Sequence, residues 1–119
     1  MNLSKLSPVF LPIADRYPSA LANVECHADC GPGWLPAIIP VLEICEARSV
    51  RVVQIKEKFG GLRIYLDQHD DTLDAAIILA ESIASRTCED CGAPGELRGT
   101  GWLVTRCDDC ARPMTRGGA

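Results

Sequence analysis

The chain has 119 residues, is 47% hydrophobic and 24% charged, and carries a net charge of −4 with a pI of about 5.1. That length supports one domain, or one small domain with an appendage, and the composition excludes wholesale disorder. The acidic balance runs opposite to that of a general nucleic-acid binder, although it leaves room for a local basic patch.

No secretory signal is expected at the start, because Pro8 and Pro12 interrupt any apolar stretch there. No apolar run approaches membrane-spanning length, so no membrane partner is expected. The seven cysteines are odd in number and four of them stand at metal spacing. This fits a reducing, cytoplasmic location better than a disulfide framework.

In chain order, Ser7-Pro8 offers an N-cap and first helical position for Val9 to Arg16. Pro12 distorts that helix and Tyr17-Pro18 ends it. Residues 25–33 are dense in Gly, Pro and Asp and read as loop. Trp34 to Arg48 reads as a helix with Trp34, Ile38, Leu42 and Cys45 on one stripe facing the core.

Residues 50–67 carry the clearest pattern. Val50 to Phe59 alternates, Gly60-Gly61 supplies a two-residue loop, and Leu62 to Leu66 returns. With that loop, Phe59 faces Leu62, Lys58 faces Arg63 and Lys56 faces Tyr65. One face then holds Val53, Ile55, Phe59, Leu62, Ile64 and Leu66. The other holds Gln54, Lys56, Lys58, Arg63 and Tyr65, and Glu57 alone is out of pattern. Asp71 or Thr72 then caps a helix running to about Arg86, with Leu73, Ala76, Ile77, Ala80, Ile83 and Ala84 inward and Ile78 half exposed.

The chemistry with the sharpest spacing is Cys88, Cys91, Cys107 and Cys110. Two C-x2-C turns enclose fifteen residues that read as two short strands, Glu96 to Arg98 and Trp102 to Arg106, and this is the spacing of a zinc ribbon. Gly92 relieves the knuckle after Cys91. A unit this small needs its metal to fold, so one structural Zn(II) per chain is expected. With all four positions filled by protein, no site stays open for a substrate.

Other constellations have simpler readings. The cations Lys56, Lys58 and Arg63, with Gln54 and Tyr65, form either a solvated sheet face or a surface for an acidic partner or a nucleic-acid strand. Cys26, His27 and Cys30 offer part of a second metal site or a redox pair, but with Cys45 they make no obvious set of four ligands and read as core cysteines beside a loop histidine. His69 with Asp70 and Asp71 belongs to a helix start. Trp34 and Trp102 read as anchors of their local cores.

Several of these blocks occur together elsewhere. Glu25, Cys30 to Trp34, Gln54-Ile55-Lys56-Glu57-Lys58-Phe59-Gly60-Gly61-Leu62-Arg63-Ile64-Tyr65, and in the ribbon Arg86-Thr87-Cys88, Cys91-Gly92, Pro94-Gly95, Leu97-Arg98, Gly101-Trp102, Thr105, Cys107 and Cys110 resemble a group of small bacterial and bacteriophage proteins. The Lys-Glu-Lys-Phe-Gly-Gly-Leu-Arg block is the most specific part. The resemblance brings no activity; it implies a prophage or mobile-element setting.

Together these readings predict an α+β fold: helices on a β-hairpin over residues 1–86, a zinc ribbon over 87–113, and a flexible tail over 114–119. The leading functional expectation is a non-enzymatic binding or adaptor protein that engages another protein through the Gln54/Lys56/Lys58/Arg63/Tyr65 face. Nucleic-acid binding by the same face is the alternative, and an enzyme using Cys26 or Cys30 as nucleophile is a third.

Overall fold

The computed structural model describes residues 3–22 and 24–115, with side chains described as far as Ala111. Two long helices and a β-hairpin form the body: α1 (Leu35–Arg48), β1 (Val52–Lys58), β2 (Gly61–Leu66) and α2 (Asp71–Ala84). A second, smaller hairpin follows, β3 (Glu96–Arg98) and β4 (Val104–Arg106), and then α3 (Asp108–Thr115). The fold is therefore α+β, with a C-terminal four-cysteine unit that fits a zinc ribbon.

Each long helix forms for a local reason. Pro36 stands in the first turn of α1, where its missing N–H costs nothing, and Ser49 ends the helix in the left-handed conformation. The expected stripe of Trp34, Ile38, Leu42 and Cys45 is fully buried. Asp70, one residue before Asp71 and two before Thr72, begins α2 by accepting the Leu73 N–H at 2.8 Å. α2 lies on α1 and on β2. Leu73, Ile77, Ala80 and Ala84 are its buried residues, whereas Ala76 is half-buried and Ile83 is exposed.

The N-terminal segment packs without a regular helix. Leu11–Arg16 is a 3-10 helix with Pro12 in its first turn, shorter than the helix expected from Val9. Phe10, Tyr17 and Leu21 from this region are buried in the same core as Trp34 and Leu42. Residues 26–29, expected as loop, instead run beside β1. The Cys26 N–H donates to the Val53 carbonyl at 3.1 Å, and the Asp29 N–H to the Ile55 carbonyl at 2.9 Å. Leu6 bridges the far side of Ala28 in parallel. The alternating β1 strand thus gains a covered edge, which removes an unpaired ladder from solvent.

The main hairpin keeps its faces but not its expected loop. Lys58 pairs with Gly61, Lys56 with Arg63, Ile55 with Ile64 and Gln54 with Tyr65. The loop is therefore Phe59-Gly60, both at positive φ (54° and 80°), not Gly60-Gly61. Moving a two-residue loop by one position shifts the pairing by two residues, which preserves each side chain's face. Two corrections follow. Arg63 stands opposite Lys56 rather than Lys58. Phe59 leaves the core face for the turn, where it is 69% exposed. A bulge between Val52 and Gln54 also turns Val52 into the core in place of Val53. Glu57, the residue out of pattern, accepts the Gly60 N–H at 2.6 Å and so closes the turn.

Candidate metal centre and the surface beside it

The sulfurs of Cys88, Cys91, Cys107 and Cys110 all lie within 4.8 Å of one another. Cys91 and Cys107 are 3.6 Å apart, close to the edge of about 3.8 Å that four thiolates make around a tetrahedral ion. The first pair sits on a tight knuckle. The Gly92 N–H donates to the Cys88 carbonyl at 3.0 Å, and Gly92 takes φ +83°, which suits a residue without Cβ. The second pair is built differently. Cys107 precedes α3 and Cys110 lies in its first turn, with the Cys110 N–H 3.4 Å from the Cys107 sulfur. α3 continues through Met114 and Thr115, the first two residues of the expected tail, while 116–119 lie outside the described residues.

The electrostatics of the cluster favour a cation. Burial of Cys88 works against its thiolate, but backbone hydrogen bonds at Cys91, Cys107 and Asp90 outweigh that and bring its pKa down to about 6. A hydrogen bond with Cys107, and then contacts with Cys91 and Cys88, push Cys110 far above the ordinary thiol range. Four sulfurs this close cannot all ionise without a cation between them. The four residues are positioned to hold a metal ion, and they fill its coordination sphere with soft ligands. Two arginines line the unit: Arg98 pairs with Asp108 at 2.6 Å, and Arg106 with Asp90 at 3.0 Å.

The ribbon is fastened to the body at three places. The Trp34 indole N–H donates to the Thr87 carbonyl at 2.9 Å. The Gly33 N–H donates to the Glu89 carbonyl at 2.7 Å, and the Gly31 N–H to the Glu89 carboxylate at 2.8 Å. The Thr105 hydroxyl donates to the Gly60 carbonyl at 2.6 Å. Gly33 is needed for this approach, because a Cβ there would collide with the Cys88 carbonyl and the Gly92 nitrogen. The Gly31-Pro32-Gly33 run, legible in the sequence only as loop chemistry, is the backing plate of the first metal knuckle.

These contacts bring the tip of the main hairpin against the tip of the ribbon. Glu57, Lys58, Phe59, Gly101, Trp102 and Leu103 line a recess of about 210 Å³. Trp102 is 77% exposed rather than a core anchor, because the Gly99-Thr100-Gly101 turn holds it at the end of the β3–β4 hairpin. Leu97 on β3 is also exposed, and its side chain lies against Gly60. Sequence reasoning missed this apolar group. The available signal was a large aromatic adjoining glycines in each of two turns, Phe59 before Gly60 and Trp102 after Gly101.

The five expected binding residues do share one hairpin face, but they are not equivalent. Lys58 and Tyr65 are exposed, while Gln54, Lys56 and Arg63 are half-buried. Lys56 sits 5.7 Å from the Tyr65 ring and Lys58 5.5 Å from the Phe59 ring. Lys56 also lines a cleft of about 380 Å³ with Asp29, Glu57, Glu89, Asp90 and Arg106. Its charge therefore shares a cleft with carboxylates. Lys58 stands beside the aromatic tip.

The remaining candidates stay apart. Cys26 is exposed, whereas Cys30 and Cys45 are buried. Among the described residues the four ribbon cysteines are the one group positioned for a metal, and His27 joins no such cluster. Burial, with Glu89 and Asp29 adding to it, pushes Cys30 up to about 12, so its thiol stays protonated at neutral pH. His69 Nδ1 lies 3.3 Å from Asp74 at the start of α2.

No protein-family model matches the chain, and neither the curated proteins nor the solved structures contain a significant match. Among the described residues no helix is long and apolar enough to cross a membrane.

Proposed function

We propose that this protein is a zinc-stabilised binding module that takes a segment of another protein on the joint tip of its two hairpins. One observation carries the reading: Phe59 is held in the left-handed backbone region at φ 54° and is 69% exposed, facing the same recess as Trp102. A bulky side chain in that conformation costs about 1–2 kcal/mol, and such strain is retained where a side chain must be presented. Phe and Trp are enriched at protein interfaces, and Trp is among the residue types that carry most of their energy. The complementary partner is a segment with an apolar side chain for the recess and a carboxylate for Lys58.

The ion is Zn(II), since four thiolates at tetrahedral spacing form a closed structural site for it. Its role is to fold the ribbon that carries Trp102 and Leu97. The unpaired state of all seven cysteines supports a reducing, cytoplasmic setting. Elemental analysis of protein purified under reducing conditions should find one zinc per chain, and Cys91→Ser should lose it. Iron in its place, or no metal in the wild type, overturns the zinc assignment.

A second reading has its own support, because the rings of Phe59 and Tyr65 interleave with Lys58 and Lys56 as in single-strand nucleic-acid surfaces. The two separate in one experiment. Proteins captured from host extract by the wild type are compared with those captured by a Phe59→Gly/Trp102→Ala variant, and anisotropy titrations with single- and double-stranded nucleic acids run alongside. A protein captured by the wild type alone supports the first reading. Capture that survives both substitutions, or salt-sensitive nucleic-acid binding that needs Trp102, sinks it.

A further inference from the structure

We propose that two copies of this chain associate through the outer faces of their α2 helices, packed antiparallel about a twofold axis between Ile78 and Leu79. α2 buries Leu73, Ile77, Ala80 and Ala84 on one side. The opposite side should be polar in a helix that faces only water. Instead it carries Ala75, Ile78, Leu79, Ser82 and Ile83, all exposed, with Ile78 at 66% and Leu79 at 61%. At 100° per residue Asp71, Ala75, Leu79 and Ser82 lie opposite the core, with Ile78 and Ile83 flanking them, and Arg86 follows in the turn that closes the helix, its N–H donating to the Ile83 carbonyl.

The order of residues along this line selects the occupant. About a point midway between Ile78 and Leu79, Asp71 at the start of α2 and Arg86 in the turn after it stand 7.5 residues away on either side, which on the Asp71 side is roughly 11 Å at the helical rise. Ala75 and Ser82 stand 3.5 residues away. In an antiparallel pair, Asp71 therefore meets Arg86 of the second copy, small Ala75 meets small Ser82, and Ile78 meets Leu79. The twofold makes each contact twice. Both Asp71 and Arg86 are exposed, and neither joins an ion pair among the described residues. A membrane surface is a poorer match, since helices lying on lipid carry Lys and Arg along the polar face, whereas this one opens with Asp71 and Asp74. A single helix face buries less than a standard interface of about 1,600 Å², so the dimer forms and dissociates with concentration. This face is separate from the hairpin tips, so the dimer presents two recognition surfaces and gains avidity for a partner with repeated segments.

Sedimentation velocity of the zinc-loaded full chain, run from low to high micromolar concentration, tests the pairing. The wild type should shift from monomer to dimer. Leu79→Glu should raise the dimer dissociation constant more than about tenfold. The single reversals Asp71→Arg and Arg86→Asp should each weaken association several-fold, and the double reversal should restore it. Circular dichroism and zinc content confirm that each variant is folded. Should Leu79→Glu not fold, Ile78→Gln replaces it, with the same loss of dimer expected. A wild type that stays monomeric throughout overturns the proposal. So does a dimer indifferent to Leu79→Glu or its replacement, or to the single reversals. Single reversals whose loss the double reversal does not repair overturn the antiparallel register.

Discussion

The hydroxyl of Thr105, only 1% exposed, donates to the carbonyl of Gly60 at 2.6 Å and so ties strand β4 of the ribbon to the turn of the main hairpin. Apart from the aromatic residues and cysteines it is the one buried residue with a polar side chain among the described residues, and its bond, like that of the Trp34 indole, crosses between the two halves of the molecule. Its position decides that Phe59, next to Gly60, and Trp102, three residues before Thr105, share one recess.

Thr105→Val tests that tie. The change preserves shape but leaves the Gly60 carbonyl without this donor in a buried site, and should cost about 1–3 kcal/mol in urea unfolding. Thr105→Ser keeps the hydroxyl and should cost less. Equal stability of the valine variant and the wild type would remove the tie from the argument.

Gly33→Ala addresses the backing of the metal knuckle. The added methyl meets the backbone of Cys88, Glu89 and Gly92, which cannot step aside as a flexible side chain can. The expected outcome is a loss of about 1–3 kcal/mol and faster metal release to a chelator. Unchanged release from the Gly33 variant would separate the loop from the metal site.

Phe59→Gly should raise stability while abolishing partner capture. Glycine takes φ 54° without the steric cost, so a gain of up to about 1 kcal/mol is expected, reduced by the loss of the ring's contact with Lys58. Chemical denaturation and capture on the same sample read the two effects. A variant that is destabilised and still captures its partner would place Phe59 among the structural residues.

The buried thiols make stability fall at alkaline pH. Burial raises Cys45 to about 11, with Asp67 and Glu46 adding to it, and raises Cys30 to about 12. An unfolded thiol ionises near 8.5, so above that pH the unfolded chain releases protons that the folded chain retains. The contribution is complete below about pH 8.5 and is lost as pH rises through 11 and 12. Urea midpoints at a series of alkaline pH values should fall for the wild type and fall less steeply for Cys45→Ala. Parallel slopes for the two proteins would assign the alkaline loss to other groups.

Much of the fold was legible in the residues. The periodicity from Trp34 to Arg48 and from Leu73 to Ala84 determined two helices and most of their buried faces. Alternation over 50–66 determined a hairpin, and apart from Val53 and Phe59 its two faces hold despite the moved loop, because the slip is even. The C-x2-C pairs determined the metal cluster, since ligand spacing is a local constraint that a short turn satisfies without the rest of the fold.

What lay beyond the sequence was every relationship between distant segments. Which two of Phe59, Gly60 and Gly61 form the turn was settled by the Glu57 carboxylate on Gly60 and by Thr105 from the ribbon. Trp34 and Trp102 each follow a glycine, yet one is buried against the Thr87 carbonyl and the other stands in solvent. Burial of a single aromatic depends on what the folded chain lays over it, and no local pattern carries that. Spacing and periodicity determined the helices, the hairpin and the four sulfurs. Only tertiary packing, with the ribbon docked on the hairpin, decided that two exposed rings from separate hairpins of the chain would form one surface.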